Sequence, residues 1–332
     1  MKSELVFKLL GYLFSIFFLY LAFKDTDINL IYKNIEYLNF SYILIAFFLT
    51  ISFYFIRSLY QENNLQYINP GLSSNISLHS IALTHFYNNI LPARLGEVIR
   101  AFYLSKKSNI GKTQILSYIL VEKILDVIFI LFVLLVIIMI ETNAIEIVNR
   151  VKMLPLLFLL LLIFITIFLY FNKHLAERFR TIIPKKYHKK VSKINFDIRQ
   201  GLNCFKSISQ VIKSIVLLLV GWLLVISIYY FISIPYIEIM TLPSYAFIYF
   251  LVFTALSLMI PSAPAGIGVV HYGLFFSISL LNPDIISSNI DLVAASVISL
   301  HFYIFLIDIL SSGLIIIFQR INGNLNEKVE SL

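Results

Sequence analysis

Residues 88–100 read NNILPARLGEVIR, and the fold prediction begins from this stretch. A related stretch, PAGIGVVHY at residues 264–272, lies in the second half of the chain. Both contain Pro-Ala-x-(Leu or Ile)-Gly-x-Val, and both follow an apolar segment. Because proline removes a backbone donor and glycine frees the backbone to turn, each stretch predicts a broken helix. The predicted structural breaks are Pro92, Gly96, Pro261 and Pro264.

The composition is that of a membrane protein. The chain has 332 residues, of which 59% are hydrophobic and 13% charged, and its mean hydropathy is +0.88. A soluble domain of this size could not cover so much apolar surface. The sequence therefore predicts an all-α polytopic membrane protein. Because Cys204 is the single cysteine, a disulfide or a cysteine metal site within one chain is excluded.

Six apolar segments are long enough to cross a hydrocarbon core of about 30 Å. These predicted full spans are residues 5–23, 40–59, 114–140, 154–171, 211–234 and 292–318. Two further apolar regions, 76–104 and 245–281, are interrupted by the prolines of the two breaks. The distribution of Lys and Arg agrees with the positive-inside rule only if each interrupted region enters and leaves the membrane on the same face. We therefore predict two re-entrant helical hairpins, or eight spans if the hairpins are counted as crossings.

The net charge of +8 is concentrated in one loop. Residues 173–206 contain ten basic and two acidic side chains. The positive-inside rule places this loop, and with it both termini, in the cytoplasm. We expect the loop to contact anionic lipid headgroups. A nucleic-acid partner is not expected, because the loop is flanked by spans and no binding fold is recognisable.

The order span, span, hairpin, span occurs twice, in residues 1–140 and again in residues 141–332. An odd number of crossings per half makes the second half inverted relative to the first. Inverted repeats with broken helices near the midplane are typical of transporters that work by alternating access. The alternative is that this short repeated motif arose by chance in a chain rich in Leu and Ile.

Charged residues near the first break are functional candidates, because a charge inside an apolar segment is costly. Arg94, Glu97 and Arg100 are spaced three residues apart, and a helix beginning near Pro92 would offer free N–H groups. Such a set suits a phosphate or a carboxylate, which the planar guanidinium binds well. The alternative is that both arginines snorkel to the membrane interface.

A second charged group, Glu122, Lys123 and Asp126, lies near the start of the third span. Buried carboxylates need partners, and we expect Arg94 or Arg100 to supply them. The resulting ion pairs have two interpretations. One is that they fix the first hairpin against this span, and the other is that they also break and re-form when a cavity opens and closes.

The second break carries histidine rather than acid or arginine. His271 follows it, and His301 and Asp308 lie in the last span. Imidazole titrates near neutral pH, so proton coupling is one interpretation, and a hydrogen-bonded core histidine is the other. The candidate substrate-binding residues are thus Arg94, Glu97, Arg100, Asn88, Asn89, Glu122, Lys123, Asp126, Gly266, Gly268 and His271.

Enzyme chemistry is not predicted. The sequence contains no nucleophile-elbow, phosphate-loop or zinc-protease motif, so we expect no catalytic residues. His79 and His85 are spaced six residues apart, which is poor for joint ligation of a metal from one helix. We accordingly expect neither a metal nor another cofactor.

At these residues the chain resembles the lysylphosphatidylglycerol synthase transmembrane-region family, also described as flippase-like. The matching pieces are LPARLGE at 91–97 with Arg100, EKxxD at 122–126 and PxxPAGIG at 261–268, in the family's order. The resemblance covers nearly the whole chain. Bifunctional members, the multiple peptide resistance factors, move aminoacylated phosphatidylglycerol across the bilayer and carry a separate cytoplasmic aminoacyltransferase domain. We expect a stand-alone membrane region without that domain.

Two departures from the family pattern limit what the resemblance implies. The usual Pro-Gly-Gly of the second motif reads Pro264-Ala265-Gly266, and the acid usually found shortly afterwards is missing. A coupling or headgroup contact made by that acid therefore does not carry over. Specificity for a cationic lysyl headgroup does not carry over either.

The resemblance and the charged break together favour a lipid translocase in the cytoplasmic (inner) membrane of a prokaryote. Its expected substrate is an anionic phospholipid or a polyprenyl-phosphate-linked lipid, moved by alternating access. The alternative is a non-transporting accessory or scaffold subunit for envelope-glycan or lipid-modifying enzymes, which would then be its partners. The sequence does not predict an oligomeric state.

Overall fold

The computed structural model describes residues 39–140 and 207–330, with side chains to 137 and 321, and isolated positions outside them: 13, 16–22, 24, 26, 160–161, 164, 192–193 and 196. Within these residues the chain is helical and contains no strand, as the sequence predicted. The predicted spans 5–23 and 154–171 and the basic loop 173–206 lie largely outside the described residues. The count of six spans and two hairpins therefore stays a prediction.

Nine α-helices and two single 3-10 turns make up the described fold. The helices are α1 Phe40–Leu65, α2 Ser74–Ile90, α3 Gly96–Ser108, α4 Lys112–Ile140, α5 Ile208–Ile239, α6 Ala246–Ser257, α7 Val269–Leu281, α8 Pro283–Ser288 and α9 Ile290–Glu330. The 3-10 turns are Pro92–Arg94, between α2 and α3, and Pro264–Gly266, between α6 and α7. Both turns lie at prolines that the sequence marked as breaks.

Four described segments are long and apolar enough to cross a membrane. They are Phe40–Leu65, Ile208–Ile239, Pro264–Leu281 and Ile290–Ile321. The third of these includes the second 3-10 turn, so its regular helix begins only at Val269. Helix α4 is also 29 residues long, but charged residues interrupt its apolar sequence. The membrane character predicted from composition is thereby confirmed.

Each broken region folds back on itself as a helical hairpin. Helices α2 and α3 pack against each other, and α6 packs against α7 in the same way. The chain turns at Ala93 (φ 57°, ψ 27°) in the first break and at Ala265 (φ 57°, ψ 7°) in the second. The shared Pro-Ala thus adopts the same left-handed turn twice, at a cost of about 1–2 kcal/mol for each alanine.

The first helix after the break begins later than the sequence indicated. We expected a start near Pro92, but α3 begins at Gly96, because Ala93 and Arg94 (φ 55°) both have left-handed backbones. The Gly96 N–H is not free for a ligand, since the Asn88 Oδ1 accepts its hydrogen bond at 2.9 Å. Gly96 is also required by space: a Cβ there would lie 2.1 Å from the Thr84 carbonyl oxygen.

Helix α1 extends six residues beyond its predicted end, to Leu65. The sequence ended the span at residue 59 because polar residues follow. Those residues are buried or half-buried: the amide Nδ2 of Asn63 donates to Ser214 on α5, and the amide of Gln61 donates to Ser77 and Ser80 on α2. Hydrogen bonds to neighbouring helices therefore continue α1 through a polar stretch.

The helices form one packed bundle around the two hairpins. Helix α1 packs along α5, and α9 packs on both α1 and α2. The main apolar core lies among α5, α6, α7 and α9, with Tyr249, Phe250 and Val293 fully buried. Each hairpin is therefore held between long helices, and the two breaks face each other inside the bundle.

A charged cavity where two broken helices meet

The two breaks touch directly. The Ala93 N–H donates a hydrogen bond to the Ser262 carbonyl at 2.9 Å, so the backbone of one break pairs with that of the other. The Arg94 Nη1 lies 3.3 Å from the carbonyl oxygen of Leu258, the residue that ends α6. A guanidinium suits this position, because the last carbonyls of a helix are unpaired and carry partial negative charge. No sequence pattern predicts this contact between Arg94 and Leu258.

A cavity of about 480 Å³ opens beside this junction. It is lined by apolar side chains of α4, α5, α6 and α9 and by eight charged ones. The charged residues are Arg57, Arg94, Arg100, Lys123, Glu97, Glu122, Asp126 and Asp308. Both breaks contribute to its wall, with Arg94 from the first and Gly266 from the second. Volume and lining are those of a small-molecule site.

Arg100 and Glu122 form a fully buried ion pair. The guanidinium donates two parallel hydrogen bonds to the carboxylate, at 3.0 and 2.9 Å, and both side chains are 1% exposed. The Arg100 Nε donates to Gln61 at 2.7 Å. The predicted pairing of Arg100 with Glu122 is confirmed, and the snorkelling alternative for Arg100 is wrong. The pair joins α3 to α4.

Arg57 is the main residue that the sequence interpretation missed. It sits on α1, donates to Asp126 at 3.1 and 2.8 Å, and donates to Glu122 at 3.0 Å. Its guanidinium also lies 5.5 Å from the ring centre of Tyr60. A lone arginine within the otherwise apolar 40–59 segment was the available signal, since such a charge is costly without a partner.

Glu97 and Lys123 form a second, looser pair. The Lys123 ammonium lies 3.3 Å from Glu97 Oε1 and 3.6 Å from Asp126 Oδ2. Its side chain is 37% exposed, so this pair is closer to solvent than the Arg100–Glu122 pair. In the described part of the chain, neither Glu97 oxygen accepts a hydrogen bond of good geometry. The pair therefore fixes α3 on α4 less rigidly.

Arg94 differs from the other basic residues of the cavity. Among the residues whose side chains are described, 39–137 and 207–321, no carboxylate lies within 4.0 Å of its guanidinium. The expected pairing of Arg94 with Glu122 or Asp126 is not formed, because Arg57 and Arg100 occupy those carboxylates. Arg94 is half-buried and lines the cavity, and its described hydrogen bond goes to the Leu258 carbonyl rather than to a carboxylate.

A polar cluster around Asp308 lies on another part of the wall. The Asp308 carboxylate accepts hydrogen bonds from the Tyr54 hydroxyl and the Asn89 amide, and His85 Nδ1 lies 3.2 Å away. Asn89 was a candidate ligand-binding residue, and Asn88 caps α3. The cluster connects α1, α2 and α9, which gives both asparagines structural contacts beside the cavity.

The two histidines of the second hairpin region form a chain of hydrogen bonds. His271 Nδ1 accepts from the Gly268 N–H at 3.2 Å, and His271 Nε2 lies 3.2 Å from His301 Nδ1. His301 Nε2 lies 2.9 Å from the Ala265 carbonyl oxygen. One tautomer, with a proton on each Nε2, satisfies all three contacts. The pair therefore ties α9 to the backbone of the second break.

The candidate residues divide into two groups. Those on the cavity wall are Arg94, Glu97, Arg100, Asn88, Asn89, Glu122, Lys123, Asp126 and Gly266. Gly268 and His271 are not on the described wall and instead shape the second break. Among the described residues, no group of three His, Cys, Asp or Glu side chains could hold a metal ion.

Comparison with known proteins gives one result. Searches of curated proteins and of solved structures return no match. The family described as "Lysylphosphatidylglycerol synthase TM region" matches residues 8–310, which is most of the chain and includes both breaks and the charged cavity. The chain belongs to the lysylphosphatidylglycerol synthase transmembrane-region family.

Proposed function

We propose that this protein is a lipid translocase whose substrate places its phosphate against Arg94. The observation that carries the proposal is the position of Arg94 in a cavity at the junction of two broken helices, with no carboxylate among the described residues within 4.0 Å. A guanidinium binds phosphate oxygens in a planar fork. Family membership supports a role in lipid metabolism.

The regular helices of both hairpins are shorter than the hydrocarbon core of a bilayer, and Pro264–Leu281 reaches the length of a span only when its 3-10 turn is counted. Helices α2 and α3 have 17 and 13 residues, or about 25 and 20 Å at 1.5 Å per residue. Helices α6 and α7 have 12 and 13 residues, or about 18 and 20 Å. A hydrocarbon core of about 30 Å exceeds all four lengths. These lengths support re-entrant hairpins, with the breaks inside the membrane.

The Pro-Ala turn that the two breaks share supports an inverted repeat. In each break a left-handed Pro-Ala turn joins two short helices, and the turns meet through the Ala93–Ser262 hydrogen bond. If the hairpins open to opposite faces, separating them on one side exposes the cavity to that side. The phosphate would then cross while the acyl chains remain in the lipid.

The buried ion pairs indicate which helices stay together during transport and which contact can change. Glu122 and Asp126 are held by Arg100 and Arg57, so α1, α3 and α4 form one unit. Arg94 is tied to the second hairpin by a single carbonyl contact at 3.3 Å. A lipid phosphate can replace that carbonyl without breaking an ion pair. Transport, rather than a chemical step, is the role proposed for these residues.

Orientation and location complete the proposal. The ten basic residues of the 173–206 loop support a cytoplasmic loop and cytoplasmic termini under the positive-inside rule, and we propose the inner membrane of a prokaryote as the location. The basic loop would then contact anionic headgroups of the inner leaflet.

The test is translocation of fluorescent lipids in proteoliposomes, comparing wild type with Arg94→Ala. We expect the wild type to move a phosphate-bearing lipid selectively. We expect Arg94→Ala to lose this activity although the variant protein still elutes as a folded protein. A matched control is Lys106→Gln, which removes an exposed positive charge from α3 outside the cavity. Absence of transport by the folded wild type, for every lipid tried, would contradict the proposal and favour an accessory subunit.

A further inference from the structure

We propose that His85 and Asp308 form a proton-binding site on the cavity wall, and that a phosphate bound at Arg94 is accompanied by one proton at this site. The inference rests on the phosphate site of the proposed function and adds a second ligand to it, the proton. Three observations carry it: the contacts of Asp308, the access of the pair to the cavity, and the balance of charge along the wall.

Asp308 is held by neutral donors and by one group that can titrate. Its carboxylate accepts hydrogen bonds from the Tyr54 hydroxyl and the Asn89 amide. Among the side chains described within residues 39–137 and 207–321, the one base within 4.0 Å of Asp308 is His85, whose Nδ1 lies 3.2 Å from Oδ1. Imidazole takes up a proton near neutral pH, and both ring nitrogens are then donors. Binding of one proton therefore converts a carboxylate beside a neutral ring into an ion pair.

The other three carboxylates of the cavity have permanent cations beside them. Arg57 donates to Glu122 and Asp126 at 2.8–3.1 Å. The Lys123 ammonium lies 3.3 Å from Glu97. Because guanidinium and ammonium groups are protonated at neutral pH, the counter-charges of these three carboxylates do not depend on pH in this range.

The proposed proton site is open to the cavity. The side chains of His85 and Asp308 are 29% and 25% exposed, and both line the cavity that Arg94 also lines. His85 lies on α2, about two helical turns before the break at Pro92. A proton can therefore reach the pair from the space that a bound phosphate would occupy, without crossing the packed core.

The cavity wall is neutral as long as the imidazole is neutral. Its charged side chains are four basic and four acidic ones: Arg57, Arg94, Arg100, Lys123, Glu97, Glu122, Asp126 and Asp308. A bound phosphodiester adds one negative charge without a counterpart, and a poorly solvated unpaired charge is costly. One proton on His85 restores neutrality, and the negative charge of the phosphate in turn favours the protonated ring. Phosphate and proton therefore strengthen each other's binding.

Neighbouring titratable groups do not replace His85. The helices packed against α2 and α9 bring charged or titratable groups near the site: Tyr54 and Arg57 from α1, Glu97 and Arg100 from α3, Tyr229 from α5 and His271 from α7. Tyrosine hydroxyls keep their protons at neutral pH, and the three charged residues already belong to ion pairs. His271 contacts His301 rather than Asp308. His85 is left as the proton acceptor of this cluster.

The proton changes the energetics of the proposed transport. A phosphodiester and one proton together carry no net charge, so their joint movement does no work against the membrane potential. A pH difference across the membrane would then drive the lipid, because the proton enters with the phosphate on one side and leaves with it on the other.

The experiment is isothermal titration calorimetry of the full chain in detergent. The probe is dihexanoylphosphatidylmethanol, a short-chain phosphodiester whose own charge is constant between about pH 6 and pH 8. Titrations in two buffers of different ionisation enthalpy give the number of protons taken up. For the wild type we expect uptake of up to about one proton per lipid, and a dissociation constant that rises by up to about tenfold per pH unit.

Two variants of the site should differ in opposite directions. His85→Gln keeps an amide donor near Asp308 but takes up no proton, so binding should be weak at every pH. Asp308→Asn removes one negative charge from the wall, so binding should stay strong at alkaline pH and take up no net proton. Because the two predictions differ in sign, one variant that fails to fold leaves the other as a test.

His79→Gln is the matched control. His79 lies on the same helix, outside the described cavity wall, and its ring contacts Tyr103. This variant should keep the pH dependence and the proton uptake of the wild type. Size-exclusion chromatography establishes that each variant is folded before it is titrated.

The outcomes separate the two proposals. Lipid binding by the wild type without proton uptake, or proton uptake that persists in His85→Gln, would overturn the proton site and leave the translocase proposal intact. Proton-linked binding without lipid translocation in proteoliposomes would overturn the translocase proposal and support the proton site. Absence of binding by the folded wild type would overturn the phosphate site on which both proposals rest.

Discussion

The two breaks share a left-handed turn at Pro-Ala, but they differ in chemistry and in the backbone that follows: Leu95 is helical (φ −64°, ψ −10°), whereas Ile267 is not (φ −50°, ψ 133°). In each, a proline is followed by an alanine with φ 57° and by a further left-handed residue, Arg94 or Gly266. The first break is surrounded by ion pairs, whereas the second is held by a neutral pair of histidines. The same Pro-Ala turn therefore occurs beside a network of ion pairs in one break and beside hydrogen-bonded histidines in the other.

The largest expected effect concerns the charged break. Glu122→Gln leaves Arg57 and Arg100 buried without one of their acid partners. Removing one member of a buried ion pair costs about 3–5 kcal/mol, so the thermal unfolding midpoint in detergent should fall strongly. The double variant Glu122→Gln with Arg100→Gln restores the charge balance and should recover part of the loss. Equal midpoints for Glu122→Gln and wild type would show that the network contributes nothing.

The next effect concerns the close approach at the first break. Gly96→Ala places a methyl group 2.1 Å from the Thr84 carbonyl oxygen, which belongs to rigid helix backbone. Overpacking of this kind costs about 1–3 kcal/mol. Gly221→Ala is the matched control, because its nearest heavy atoms are 3.8 Å away and the added methyl fits. Similar unfolding midpoints for the two variants would mean that α2 and α3 are not packed as described.

A comparable change at the neutral break should cost less than the loss of Glu122. His301→Leu leaves the Ala265 carbonyl and His271 without the ring that contacts them. An unsatisfied buried polar group costs about 1–3 kcal/mol. We therefore compare the decrease in the unfolding midpoint caused by Glu122→Gln with the decrease caused by His301→Leu. Their ratio measures how much more the first break depends on charge. A larger shift for His301→Leu would reverse the comparison.

The smallest effect tests whether the breaks are equivalent. Ala93→Gly and Ala265→Gly each relieve a left-handed alanine, which gains about 1–2 kcal/mol, and each loses about 0.5–1 kcal/mol in chain entropy. Both variants should be stabilised by about 0–1.5 kcal/mol, and by similar amounts. Differential scanning fluorimetry of the pair measures this. Stabilisation of one and destabilisation of the other would show that the shared sequence does not make the same turn.

Sequence patterns predicted the breaks and one buried ion pair. Pro92 and Pro264 start the two turns, and Arg100 pairs with Glu122, as the spacing and the cost of buried charge indicated. The start of α3 was predicted four residues early, because left-handed backbone at Ala93 and Arg94 cannot be inferred from residue type alone. Both residues normally favour helix.

Long-range contacts were the part that the sequence could not supply. The role of Arg57 depends on α1 lying beside α4, and the contact of Arg94 with Leu258 depends on the two hairpins meeting. Both pairings join residues far apart in the chain, so no local pattern encodes them. The extension of α1 to Leu65 has the same origin, since Gln61 and Asn63 look like loop residues until their partners are present.

The most direct test of the proposed phosphate site at Arg94 is to locate the bound lipid headgroup. A phosphatidylglycerol analogue with a photoactivatable group beside the phosphate is incorporated with the wild-type protein, irradiated, and its attachment sites are mapped by mass spectrometry. We predict labelling of residues 88–97 and 258–266, on both breaks, and loss of both labels in Arg94→Gln but not in Lys106→Gln. The contrary result is labelling confined to exposed apolar residues such as Ile212, Leu223 and Phe302 and unchanged by Arg94→Gln. This result would contradict the binding of the lipid phosphate at Arg94.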